Sequence, residues 1–172
     1  LDVTSQYNCD TVLGIATSAI RTRKNGQEVI RHINQKFSIN IEIIEGNREA
    51  QLIYSGAVIS VPNSKFPVLV MDIGGGSTEF IIGNGPNILW KHSFDFGSTA
   101  LTSGMELNDG LTENNLKQIN SKLSELLPLL FRKVNEFKPE SFIGTTGAFE
   151  SFSHMIESNN WSNSIIESGY EF

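Results

Sequence analysis

The sequence predicts an α/β fold, a mixed sheet flanked by helices. Three observations carry this expectation. Short apolar runs of strand length alternate with stretches of helical periodicity. The second half reads strand, strand, strand, helix, strand, helix, and a glycine turn follows the first and the fourth of those strands. In that order both turns fall at one end of the sheet, where α/β folds bind ligands.

Each element has a local reason. Thr11–Ala16 is a short β-rich run that reads as a buried strand. Asn25, followed three residues later by Glu28, has the form of a capping box, and Val29, Ile30, Ile33 and Phe37 continue at helical spacing. Ile41–Glu45 is a second strand. From Asn47 to Ile59, Ala50, Ile53, Tyr54, Ala57 and Val58 recur three and four apart, a buried helix face. Ser60–Phe66 contains Pro62, Asn63 and Ser64 and is the natural crossover between domains. Val68–Ile73 is then a buried strand, Gly74–Gly76 a turn and Thr78–Ile82 the returning strand. Asn84–Pro86 closes a hairpin into Ile88–Phe96. Thr112 caps the longest helix, whose Leu116, Ile119, Leu123, Leu126, Leu127, Leu130, Val134 and Phe137 form a core-facing stripe, with a kink at Pro128. Phe142-Ile143 ends a fourth strand, Gly144–Gly147 is the second glycine turn, and Phe149, Phe152 and Ile156 mark a short helix. After Trp161 the sequence is too short and polar to assign.

Composition narrows the function classes. The chain has 172 residues with 39% hydrophobic and 19% charged, an ordinary globular balance. Thirteen basic against 19 acidic residues give a net charge of −6, which repels nucleic acid and anionic membrane. Cys9 is the only cysteine, so no internal disulfide forms, and no Cys-x5-Arg pattern surrounds it. No apolar run approaches the roughly 20 residues that span a bilayer. The expectation is a soluble cytoplasmic protein. The chain opens on Leu1 and ends at Phe172, and it reads as an excerpt of a longer polypeptide. His32, His92 and His154 are scattered and read as structural or surface residues.

The chemistry concentrates in Asp72-Ile73-Gly74-Gly75-Gly76-Ser77-Thr78-Glu79. Glycines let backbone N–H groups approach an anion closely, and Ser77 and Thr78 add hydroxyls. Asp72 leaves one strand as Glu79 enters the next, so two carboxylates meet at a phosphate-binding turn. A hard cation such as Mg²⁺ reconciles the acids with the anion, because it takes carboxylate, water and phosphate oxygens. The bland alternative is a flexible hairpin with an accidental acid on each side. There is no Gly-x-x-x-x-Gly-Lys-Ser/Thr sequence, which excludes a Walker-type loop.

Met71–Glu79 resembles the second phosphate loop of the acetate kinase, sugar kinase, heat-shock chaperone and actin superfamily. Its Ser-Thr-Glu ending is similar to that of the exopolyphosphatase and guanosine pentaphosphate phosphohydrolase (Ppx/GppA) family, as are Ala16–Arg21 and Glu45–Ile53. The resemblance runs from about Thr11 to Phe152. It implies a ribonuclease H-like fold of the actin-like ATPase superfamily, two-lobed in the full protein. Residues 1–62 would be the C-terminal part of a first actin-like domain, and residues 67–172 a second, truncated one.

The resemblance also implies roles. Glu49 would be the catalytic base, and Asp72 and Glu79 the magnesium ligands. Gly74, Gly75, Gly76, Ser77, Thr78, Arg21, Gly144, Thr145, Thr146 and Gly147 would bind phosphate. By itself, a Glu at a helix start is ordinarily a solvated residue favoured by the helix dipole, and an Arg is as readily a surface charge. Gly144–Gly147 reads equally as a plain strand-to-helix connection. Arg21, Arg23, Lys24 and Arg31 are a modest basic cluster for a polyanion. The family's opening strand, with an acid before a Gly-Ser-Asn-Ser-like run, has no counterpart here, and its last strand and helix are missing or only begun.

The implied activity is magnesium-assisted release of the terminal phosphate from inorganic polyphosphate, with guanosine pentaphosphate as the alternative substrate. An ATP-binding chaperone or kinase-like protein, and a non-catalytic polyphosphate or alarmone sensor, are the readings from other classes. No nucleic-acid or membrane partner is expected, and a homodimer is compatible with the resemblance.

Overall fold

The computed structural model describes residues 4, 6–7, 9–60, 65–107 and 110–158. Residues 61–64 of the expected crossover, and everything after 158, lie outside the described residues. Contacts divide the chain into two compact units, Leu1–Glu45 and Gly46–Phe172.

In the first unit, strands β1 (Leu13–Ala16) and β2 (Asn40–Ile43) pair in parallel. A short helix α1 (Ser18–Arg21) and helix α2 (Gly26–Phe37) make the crossover that parallel pairing requires. β1 is less buried than its composition suggests, with Ala16 buried but Leu13 and Ile15 exposed. The capping box expected at Asn25 does not form. Asn25 sits at φ −95°, ψ 8° rather than in the extended conformation a capping residue needs, and its side chain makes no cap bond. The helix ends on Ser38 in the left-handed region, with its N–H on the Asn34 carbonyl at 2.9 Å.

The second unit is a four-stranded mixed sheet between helices, as expected. It opens with helix α3 (Gly46–Ala57) and a 3₁₀ turn at Val58–Ser60. Strands β3 (Val68–Ile73), β4 (Thr78–Asn84), β5 (Asn87–Phe94) and β6 (Ser141–Thr145) lie in the order β5-β4-β3-β6, with only β3 and β6 parallel. Gly85-Pro86 is the two-residue hairpin turn between β4 and β5, with Gly85 at φ 52°. Helices α4 (Ser98–Thr102), α5 (Glu113–Leu126), α6 (Pro128–Phe137) and α7 (Gly147–Ser158) complete the unit.

Both faces of β4 are covered, so its residues from Thr78 to Gly83 are buried without alternation, Glu79 among them. On one face Val70 and Ile81 lie fully buried with Ala50, Tyr54 and Ala57 of α3. On the other, Phe80, Phe94, Phe96 and Leu130 pack with Leu123, Leu127 and Val134.

Two expectations change in detail and one holds. The long helix is two, because Pro128 cannot donate into the preceding turn and instead begins α6 at its first position. Thr112 does cap α5, in a reciprocal capping box with Asn115. The stripe is only partly core: Leu123, Leu127, Leu130 and Val134 pack inward, whereas Leu116 and Leu126 are exposed. Helices α1 and α4, four and five residues long, are too short for periodicity to reveal.

Candidate active site

Strand register builds the site. Ser93 pairs with Glu79, Glu79 with Asp72, and Asp72 with Thr145. Residues paired across a sheet share a face, so these four form one row across all four strands. Val70 and Ile81 stand two residues back on the same face, which is the face α3 covers.

Helix α3 brings a third acid. The Tyr54 hydroxyl donates to the Gly85 carbonyl at 2.8 Å, fixing the later turns of α3 against the β4–β5 hairpin. Five residues earlier, roughly 7.5 Å along the axis, Glu49 occupies the first helical turn. Its charge raises the proton affinity of both Asp72 and Glu79, which places the three carboxylates in one electrostatic cluster.

The two sheet acids are buried, Glu79 almost completely at 1% exposure. Desolvation is the main cause that pushes both carboxyls above their ordinary range. Hydroxyl donors oppose it. Thr146 Oγ1 donates to Asp72 Oδ1 at 3.0 Å, and Ser93 Oγ donates to Glu79 Oε1 at 2.6 Å. Thr145 also bonds Asp72, and Ser77 bonds Glu79. Among the described residues, no Lys, Arg or His forms an ion pair with either acid.

The glycine turn is clamped from outside. Its own closure is the Gly74 N–H on the Ser77 carbonyl at 3.0 Å. The Gly74 carbonyl then accepts Ser98 N–H, and the Gly75 carbonyl accepts both Thr99 and Ala100 N–H, all at 3.0 Å. The first N–H groups of α4 have no partners within the helix, so the turn's carbonyls satisfy them. This approach requires Gly97, where an added Cβ would lie 2.3 Å from the Gly74 oxygen. Thr78, 1% exposed, ties the same region together by donating to the Phe96 carbonyl at 2.7 Å.

The structure holds the other expected site residues as follows. Gly74 and Gly76 are half-buried, Gly75 is exposed, and Ser77 is buried. Thr145 Oγ1 donates to the Met71 carbonyl at 3.3 Å. Thr146 adopts φ 72°, a strained conformation for a β-branched residue, beside the row. Gly144 admits close packing, since a Cβ there would run into the Phe149 ring. Gly147 begins α7. Arg21 belongs to the first unit, where Nη1 donates to the Ile44 carbonyl at 2.9 Å. His92 stacks on Trp90 and meets Phe94 edge-on, a structural role. Ser93, Gly97 and Thr99 are the residues that sequence reasoning missed. The only signal was that Ser93-Phe-Asp-Phe-Gly97-Ser-Thr99 follows a strand and carries polar residues out of it.

The donor set suits a hard cation held partly by water and phosphate. It offers carboxylate and hydroxyl oxygens, and among the described residues no cation balances the buried acids. Among the described residues no three His, Cys, Asp or Glu side chains close a metal cage. A cation there would complete its shell with waters and substrate oxygens, as magnesium commonly does.

Known proteins resemble this chain over most of its length. The family model described as the Ppx/GppA phosphatase family matches residues 2–169. The chain is similar to the crystal structure of an exopolyphosphatase from Cytophaga hutchinsonii, with 33% identity and a TM-score of 0.86 over 98% of this chain and 54% of that one. It is 35% identical over 154 residues to a bifunctional 3-dehydroquinate synthase/phosphatase of Fusobacterium nucleatum, covering 85% of this chain and 23% of the relative. It is 28% identical over 142 residues to a guanosine-5'-triphosphate,3'-diphosphate pyrophosphatase of Aliivibrio fischeri, covering 83% and 28%. The chain thus spans about half of the solved relative and about a quarter of these curated ones.

Proposed function

The chain belongs to the Ppx/GppA phosphatase family, and from that premise we propose that its polypeptide removes the terminal phosphate of inorganic polyphosphate by attack of water. The observation that carries the reading is the juxtaposition of Glu49 with the paired acids Asp72 and Glu79 beside a clamped glycine turn.

Each residue has a job that its position allows. Glu49, half-buried at the start of α3, is the general base that takes a proton from the attacking water. The water oxygen bonds the terminal phosphorus as the bridging P–O bond breaks, and the shortened chain leaves with the electron pair. The Gly75 and Gly76 N–H groups would supply donors for the phosphate, on a turn positioned in advance by α4 and shaped by the Gly74 N–H bond to Ser77 and by the Ser77 and Thr78 hydroxyls. Thr145, Thr146, Gly144 and Gly147 line the neighbouring strand end. Asp72 and Glu79 would hold magnesium, whose charge, when bound, would offset that of the phosphate oxygens and of the acids.

Guanosine pentaphosphate is the second reading, favoured by the similarity to the guanosine-5'-triphosphate,3'-diphosphate pyrophosphatase of Aliivibrio fischeri. Inorganic phosphate release by the whole polypeptide, measured as kcat/KM for each substrate with and without Mg²⁺, separates the two. A higher value for polyphosphate is expected, and no release from either substrate would end the proposal.

A further inference from the structure

Ser93 is not part of the glycine turn, yet it makes a short hydrogen bond within the acid row. Its hydroxyl donates to Glu79 Oε1 at 2.6 Å, a length typical of a hydroxyl on a carboxylate. The contact follows from register, because Ser93 and Glu79 are direct partners on β5 and β4 and face the same side. Glutamate has a broad terminal torsion, so a strand alone leaves the plane of its carboxylate loosely defined. Burial without a cationic partner makes that looseness consequential. The charged groups presented to Glu79 are Glu49 from α3 and Asp72 from β3, both repulsive. Lys91, two residues before Ser93 on the same strand face, has its ammonium 3.5 Å from Gln51 Oε1. Asp95 is exposed just past the end of β5. Hydroxyls therefore do the orienting, with Ser77 from the turn and Ser93 from the outer strand.

We propose that Ser93 is a positioning residue, whose hydroxyl fixes the Glu79 carboxylate in the orientation used to bind magnesium with the phosphate chain. The inference rests on the reading of the acid row as a magnesium and phosphate site. It assigns Ser93 an outer-shell role, in which the residue touches neither substrate nor metal and acts only through Glu79. Loss of such a partner typically weakens metal affinity or activity about 10–100-fold.

The test uses the whole polypeptide and two readouts, Mg²⁺ affinity by calorimetry without substrate and phosphate release as separate kcat and KM. Ser93→Ala is expected to weaken Mg²⁺ binding by about tenfold or more and to lower kcat more than it raises KM. Ser93→Thr, which keeps the hydroxyl, is expected to restore Mg²⁺ affinity to within a few-fold of the parent protein. If Ser93→Ala does not melt cooperatively, Ser93→Cys, similar in size but a weak donor, is read in its place with the same expectation. Parent-like Mg²⁺ affinity and kcat in the variant lacking the hydroxyl would overturn the role of Ser93 alone. A parent polypeptide that neither binds Mg²⁺ nor releases phosphate would overturn the functional reading, and this inference with it.

Discussion

Gly97→Ala is the sharpest perturbation of the glycine turn that leaves its own residues untouched. The added methyl would sit 2.3 Å from the Gly74 oxygen and 2.6 Å from the Gly75 carbonyl carbon. Non-bonded heavy atoms settle at about 3.5 Å, so one backbone must move by roughly an ångström. Neither obstacle is the end of a flexible side chain, so overpacking should cost about 1–3 kcal/mol. The strained contacts include the three hydrogen bonds from Ser98, Thr99 and Ala100 that hold the turn. At about 2–4 °C per kcal/mol for a domain of this size, the melting temperature should fall by roughly 2–12 °C. A displacement of about 1 Å at a phosphate-binding turn should lower kcat/KM by about 10²-fold. Gly56→Ala is the matched control, since a Cβ there meets nothing within 4 Å and the site is helical. It should stabilise by about 0.5–1 kcal/mol and leave activity alone. Calorimetric melting and phosphate release are run on both variants. A Gly97→Ala protein with parental melting and parental activity would refute the clamp.

Two further outcomes follow from the same geometry. Glu79 has a raised folded-state pKa, so the folded protein binds this proton more tightly than the unfolded chain. Its contribution to stability is full below the unfolded value and is lost as pH rises through the folded value. Glu79→Gln should therefore gain in melting temperature relative to the parent as pH rises from 4 to 8, while losing phosphate release; a gain that shrinks with rising pH would contradict the buried, repelled acid. Tyr54→Phe removes the 2.8 Å bond to the Gly85 carbonyl and should cost about 1 kcal/mol, with activity retained. Unchanged urea unfolding would show that this bond contributes nothing.

The chemistry was legible in sequence wherever it is local. Asp72, the three glycines and Glu79 lie in one eight-residue stretch, and a tight turn between two strands forces the acids together. The fold class was legible from the alternation of periods, and the convergence of both glycine turns followed from strand order. The connection of Ser93 to Glu79 was not. It depends on the register of a hairpin that turns at Gly85-Pro86 and carries a bulge beside Ile82/Gly83, and a one-residue slip would turn Ser93 to the other face. Gly97 was silent for a related reason: a glycine needed for close approach looks like any loop glycine until its neighbour is known. Leu116 and Leu126 show the limit of periodicity, which counts apolar residues but not whether the facing surface extends far enough to cover them.

The central claim is that Glu49 serves as the base at a site whose other acids are Asp72 and Glu79. Phosphate release from polyphosphate by the whole polypeptide, compared with Glu49→Gln at equal Mg²⁺, tests it most directly. A fall in kcat of about 10²–10⁴-fold is expected with KM changed little, since a positioned base acts in the transition state. Turnover by Glu49→Gln at the parental rate would contradict it.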